Sequence, residues 1–163
     1  MSLFFRVKHH FFSAFRELFV HHHGSLNFRA KIFALVISAD ENAKVENYII
    51  IKKIALNLYH NDEERANLLT LATKELVQKV RNDNGLYLET LILHIQTELK
   101  IVPRYAKKID TQRLKPLLEL PMDADTILYQ EKILLFLETL KFETLQNHKI
   151  SIDKEKESTS TII

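Results

Sequence analysis

The chain has 163 residues, 46% of them hydrophobic and 27% charged, with a formal net charge of +2. That length supports one domain with a sizeable core, and so small a net charge makes no electrostatic case for nucleic acid. The absence of cysteine removes disulfides, thiolate zinc sites and a cysteine nucleophile, and a supply of only two glycines and three prolines favours long helices over turn-rich sheets.

The opening MSLFFRVKHHFF mixes charges with phenylalanine and has no continuous apolar stretch ending in small residues, so it is not a secretory signal. No apolar run approaches the roughly 18 residues needed to span a bilayer. A cytoplasmic location is the expectation. On a helix over residues 2–20, Leu3, Phe4, Phe5, Val7, Phe11, Phe12, Ala14, Phe15, Leu18 and Phe19 share one broad arc, with Arg6, His9, His10, Ser13, Arg16 and Glu17 opposite. This helix either closes the core or docks on a protein partner or, peripherally, on a membrane surface. His21-His22-His23-Gly24-Ser25 ends it, with Gly24 suited to the left-handed residue after a helix.

Asn27 caps a second helix, Phe28 to Ala39, which turns Phe28, Ile32, Phe33, Leu35, Val36 and Ala39 inward. A polar elbow, Asp40 to Lys44, joins it to a third helix, Lys44 to Tyr59, and this hairpin is what the rest of the chain is expected to pack around. Asn61 or Asp62 caps a fourth helix, which ends at the turn Arg81-Asn82-Asp83-Asn84-Gly85. Leu86 to Ile101 is apolar on several sides, as a central helix would be. Pro103 interrupts it, a basic segment leads to a helix from Thr111 to Leu120, and the break at Pro121–Asp125 precedes a last helix over residues 126–146. The polar tail from Asn147 is expected to be disordered. Three parts result: an N-terminal helix over 1–24, a helical domain over 25–146 and a tail over 147–163. An echo at a spacing of 83 residues sets Asp40 on Asp123, Asn42 on Asp125 and Leu35 on Leu118, which would suit a pseudo-twofold bundle.

Chemistry is sparsely marked. Gly24 and Gly85 are too far apart for a phosphate-binding loop, no Gly-x-Ser-x-Gly or His-Glu-x-x-His occurs, and no Glu precedes a His by three residues as di-iron bundles require. An enzyme is not expected. Asp40, Asn42 and Glu46 place hard oxygen ligands around one elbow, as calcium or magnesium prefers, and Asp123 and Asp125 do so around the second break; each set also reads as helix caps. His60 with Glu64 and His94 with Glu98 are spaced as metal-ligand or acid–base pairs, or as plain neighbours on a helix surface. Lys100, Arg104, Lys107, Lys108, Arg113 and Lys115 face the single Asp110 along one stretch, which either attracts phosphates or is a solvated connector; no nucleic-acid-binding module surrounds it.

Ala34-Leu35-Val36-Ile37-Ser38-Ala39-Asp40 followed by an apolar-led helix resembles the opening motif of TerB-like domains, the tellurite-resistance family. The resemblance covers residues 28–142 and implies a bundle of about seven helices in which acids at this turn bind a metal. Ala39-Asp40 matches the family's turn and Glu46 stands for its later acid, while Glu41 replaces its glycine and the span to Val45 is longer. The expectation is therefore an all-α, single-domain, non-enzymatic, stress-related binding module holding a divalent cation at Asp40, Asn42, Glu46, Asp123 and Asp125. The alternative is a protein- or membrane-docking adaptor acting through residues 1–23, as a monomer or homodimer.

Overall fold

Helix α1, Gly24–Ser38, buries nine of its fifteen residues, among them Phe28, Ala30, Ile32, Ala34, Leu35 and Ile37. These positions go right round the helix, so no face can be left to water and neighbours must enclose it. In the computed structural model, which describes residues 24–82 and 86–160, those neighbours are α3 (Glu63–Arg81), α4 (Leu88–Ile101), a 3-10 turn (Pro103–Lys108) and α6 (Ala124–Ser160). Helix α2 (Val45–Leu58) packs on α3, and a four-residue α5 (Thr111–Leu114) with a second 3-10 turn (Lys115–Glu119) leads into α6. The described residues contain no strand, and the chain is an all-α single-domain bundle.

Three side-chain contacts give the directions of the helices. The Arg29 guanidinium lies 5.6 Å from the Tyr59 ring centre, so α2 runs back from the elbow to the start of α1. Arg81 at the end of α3 donates to the elbow carbonyls, so α3 returns parallel to α1. Lys31 midway along α1 pairs with Glu98 of α4, and the turn that follows α4 brings Tyr105 against Gly24 and Phe28 at the start of α1, so α4 runs antiparallel to α1; burial pushes the Lys31 ammonium below the ordinary lysine range. The expected hairpin is thereby reshaped, because α1 and α2 both lie on α3 rather than chiefly on each other.

Several boundaries and roles differ from expectation. The central helix is α1, whereas α4 buries only Leu91, Ile95 and Leu99 and exposes Leu93 and Ile101. Gly24 is the first residue of α1 and does not need a left-handed backbone: a Cβ there would come within 2.5 Å of the Tyr105 hydroxyl, so the glycine serves a close approach. The echo of the elbow is not a structural repeat, since the segment before Pro121 forms a four-residue helix and a 3-10 turn where α1 has fifteen residues. Pro116 and Pro121 account for this, since neither can sit inside a long helix. The tail over 147–163 was expected to be disordered, yet α6 continues through it to Ser160. No Pro or Gly follows Pro121, and a helix already nucleated by its packed half extends at one hydrogen bond per residue. Residues 1–23 and 83–85, with the proposed N-terminal helix and the tip of the Arg81–Gly85 turn, lie outside the described residues.

The end of α1 is closed by α6. The Asp40 N–H bonds Ile37 O at 3.0 Å, tightening the last turn and leaving Val36 O without its usual donor. Gln130 Nε2, wholly buried, supplies that donor at 3.0 Å, while its Oε1 has no partner among the described residues. Gln130→Ala is expected to cost about 2–3 kcal/mol through the lost cap and the cavity, and Gln130→Met about 1 kcal/mol because it refills the space. Urea unfolding of both variants, read at unchanged m-value, checks the order.

Candidate anion-binding site

The acidic elbow is a helix junction in which Asp40 Oδ1 and the Asp40 and Ala43 carbonyl oxygens are already bonded. Asp40 is buried and its Oδ1 accepts from the Asn42 N–H at 2.8 Å. Asn47, not Asn42, organises the start of α2, its Oδ1 accepting from the Lys44 N–H at 2.8 Å. Arg81 Nη2 and Nη1 donate to Asp40 O and Ala43 O, both at 3.2 Å, so a guanidinium stands where a cation would meet the loop carbonyls. Asn42 and Glu46 are exposed. At the second break Asp123 caps α6, accepting from the Thr126 N–H at 2.7 Å; the Thr126 N–H and hydroxyl hold this carboxylate below its usual range. Asp125 is exposed in the first turn of α6, where it suits the helix dipole. Asp40, Asn42, Glu46, Asp123 and Asp125 are therefore not gathered, and no three Asp, Glu or His side chains among the described residues are placed to share an ion.

The histidine pairs separate too. His60 sits in the α2–α3 turn at φ 53°, outside any helix, so its spacing to Glu64 places nothing on a common face. His94 is exposed, and Glu98 belongs to Lys31.

The basic segment converges instead, and it recruits a residue from another helix. Within the 3-10 turn, Ala106 is fully buried and Ile109 follows it into the core, which fixes the turn and leaves Arg104, Lys107 and Lys108 on its outer side. Opposite them stands Arg29 of α1, stacked on the Tyr59 ring and donating to the Tyr59 hydroxyl at 3.5 Å. Arg113 of α5 completes the rim, held by Asp110 at 2.8 Å and by the side-chain amide oxygen Oδ1 of Asn57. Arg29, Lys107, Lys108, Asp110 and Arg113 line a recess of about 100 Å³ together with Ile32, Phe33, Leu58 and Leu114, and Arg104 lies beside it, close enough to act on Lys108.

Charge in the recess is unbalanced. Asp110 is the one acid on the rim among the described residues, and it already caps α5 and pairs with Arg113. No carboxylate among the described residues forms an ion pair with Arg29, Arg104, Lys107 or Lys108. The Arg29 charge, then burial, then Arg104 push the Lys108 ammonium below the ordinary lysine range, as expected where cations crowd. Arg29 and Tyr59 were not foreseen from the sequence, where Arg29 is one cation on an otherwise apolar helix. Of the basic segment, Lys100 lies elsewhere, in a larger groove of about 460 Å³ between α4 and α6. That groove mixes Leu99, Pro103, Leu140, Glu143 and His148 without converging charge.

Arg81→Ala is expected to cost about 1–2 kcal/mol by freeing the elbow carbonyls, and millimolar calcium should not restore the lost stability. Thermal melts in calcium and in EDTA test this, and recovery in calcium alone would return the elbow to the metal reading. No family model matches the chain, nor does any curated protein or solved structure, so the resemblance to TerB-like domains rests on its residues alone.

Proposed function

We propose that the chain is a non-catalytic helical docking module that binds anionic membrane surfaces. The observation that supports this most is the group of cations without an ion-pair partner among the described residues, Arg29, Arg104, Lys107 and Lys108, at the end of the bundle where α1 begins. Arg29 is five residues into α1, about 7.5 Å along its axis, and Gly24 abuts Tyr105 of the same turn that carries Lys107 and Lys108. Directly before Gly24 in the sequence stands the Phe-rich amphipathic pattern of residues 2–20. Basic side chains beside an apolar, aromatic face form the usual pairing for peripheral binding, where hydrophobic insertion and attraction to anionic headgroups add. No helix among the described residues is long and apolar enough to cross a membrane. The TerB resemblance adds a stress-related setting to this reading.

Co-sedimentation of the full chain with phosphatidylcholine vesicles, with and without phosphatidylserine, tests the proposal. Binding should require the anionic lipid and weaken as salt rises, with each removed cation costing about 1 kcal/mol. Replacing Phe11 and Phe15 by Glu should abolish it. Equal binding to neutral vesicles, or none to anionic ones, rejects the reading.

A further inference from the structure

The same cations carry a more specific inference. A flat basic patch would serve any anionic surface, but these groups rim a recess and reach it from three elements. Arg29 comes from α1, Lys107 and Lys108 from the 3-10 turn, and Arg113 from α5. Donors arriving from several directions suit a tetrahedral group that presents several oxygens at once. Arg29 is pre-positioned by its stacking on Tyr59, and the one hydrogen bond it donates among the described residues leaves most of its five N–H groups for a ligand. An apolar floor beneath them strengthens charge interactions by excluding water.

We propose that this recess binds the terminal phosphoryl group of a phosphate monoester, with Arg29, Lys107 and Lys108 as its principal donors. The inference rests on the docking reading and refines it. Two quantities select the ligand class. The recess, at about 100 Å³, holds a small anion and little more, whereas drug-sized ligands occupy about 300–1,000 Å³. A phosphoryl group enters and whatever carries it stays outside, so a sugar or base gains no recognition. With Asp110 committed to Arg113, the three remaining cations exceed what one negative charge can balance, and a monoester can supply two. The crowding felt by Lys108 is in keeping with this, since a dianion would relieve it.

The carrier can be a lipid, as in phosphatidic acid, or a soluble molecule, and the two are separable. The full chain is bound to phosphatidylcholine vesicles containing equal fractions of phosphatidic acid or phosphatidylserine, and inorganic phosphate is titrated separately while amide resonances are followed. Two double variants remove the donors, Arg29→Gln with Lys108→Gln, and Lys107→Gln with Lys108→Gln; the second leaves the Arg29–Tyr59 stacking intact should the first unfold. Lys53→Gln with Lys132→Gln changes the net charge equally at exposed positions elsewhere. The expected result is about tenfold tighter binding to phosphatidic acid than to phosphatidylserine, lost in the donor variants and kept in the control. Shifts at Arg29 and Lys108 with inorganic phosphate, without vesicle binding, retain the site and make its ligand soluble. Equal binding to both anionic lipids overturns the monoester inference and leaves membrane docking standing. Absence of both vesicle binding and phosphate shifts overturns the two together.

Discussion

A helix buried on every side cannot leave its last carbonyls to water, and most of this bundle follows from meeting that demand at the end of α1. Gln130 reaches Val36 O from α6, and Arg81 reaches Asp40 O and Ala43 O from α3. The two donors belong to helices that already flank α1, so closing the helix end also sets how far along it each neighbour sits. A cation at this terminus also complements the negative end of the helix dipole. The carbonyls of the elbow that joins α1 to α2 are therefore met from within the fold, and of its acids Asp40 is turned onto the backbone while Glu41 and Glu46 stay exposed.

The opposite end of α1 has the reverse character. There the dipole is positive and the nearby side chains, Arg29, Lys107 and Lys108, are positive as well, so nothing within the described residues balances them. Tyr105 holds the 3-10 turn against the start of α1, its ring 5.3 Å from Phe28 and its hydroxyl beside Gly24. The fold thus spends one long side chain from each of two helices on quieting one end of its central helix while concentrating charge at the other. Such an arrangement costs self-repulsion unless an anion relieves it, which is why the recess and not the elbow is the stronger binding candidate.

Helix existence was largely legible in the sequence from the apolar period, while expected caps held only in part: Asp62 and Asp123 cap helices, but Asn27 lies inside α1. Of the two expected candidates Asn61 and Asp62 it is Asp62 that caps α3, and α2 follows Lys44 closely. Burial was less legible. Ala30, Ala34 and Ile37 complete the enclosure of α1, but a helix wrapped by neighbours and one with a broad apolar face differ little in local pattern. Residues distant in sequence were not legible at all. Arg29 meets the turn at Lys107 and Lys108 only because α1 and the turn pack together, and Gln130 finds Val36 across 94 residues. The basic run was visible as composition, yet composition could not divide Lys108, which faces Arg29, from Lys100, which lines another groove.

The aspartates explain why a metal site was readable where the structure gathers none. Asp40, Asp62, Asp110 and Asp123 each accept a backbone N–H two or three residues further on, at 2.8, 3.0, 3.3 and 2.7 Å. A short acidic side chain just before a helix or within a turn aims its oxygen at an orphan backbone N–H, whereas in a calcium loop the same kind of oxygen is aimed at the ion. Sequence spacing is common to both arrangements, and only the direction of the lone pairs separates them. In a chain with two glycines, aspartate takes over much of the work of starting helices, so its carboxylates turn toward the backbone. Cations have no such role at helix starts. Lysine and arginine are consequently the charges left facing outward at the beginning of α1, and an anion is the partner that the arrangement calls for.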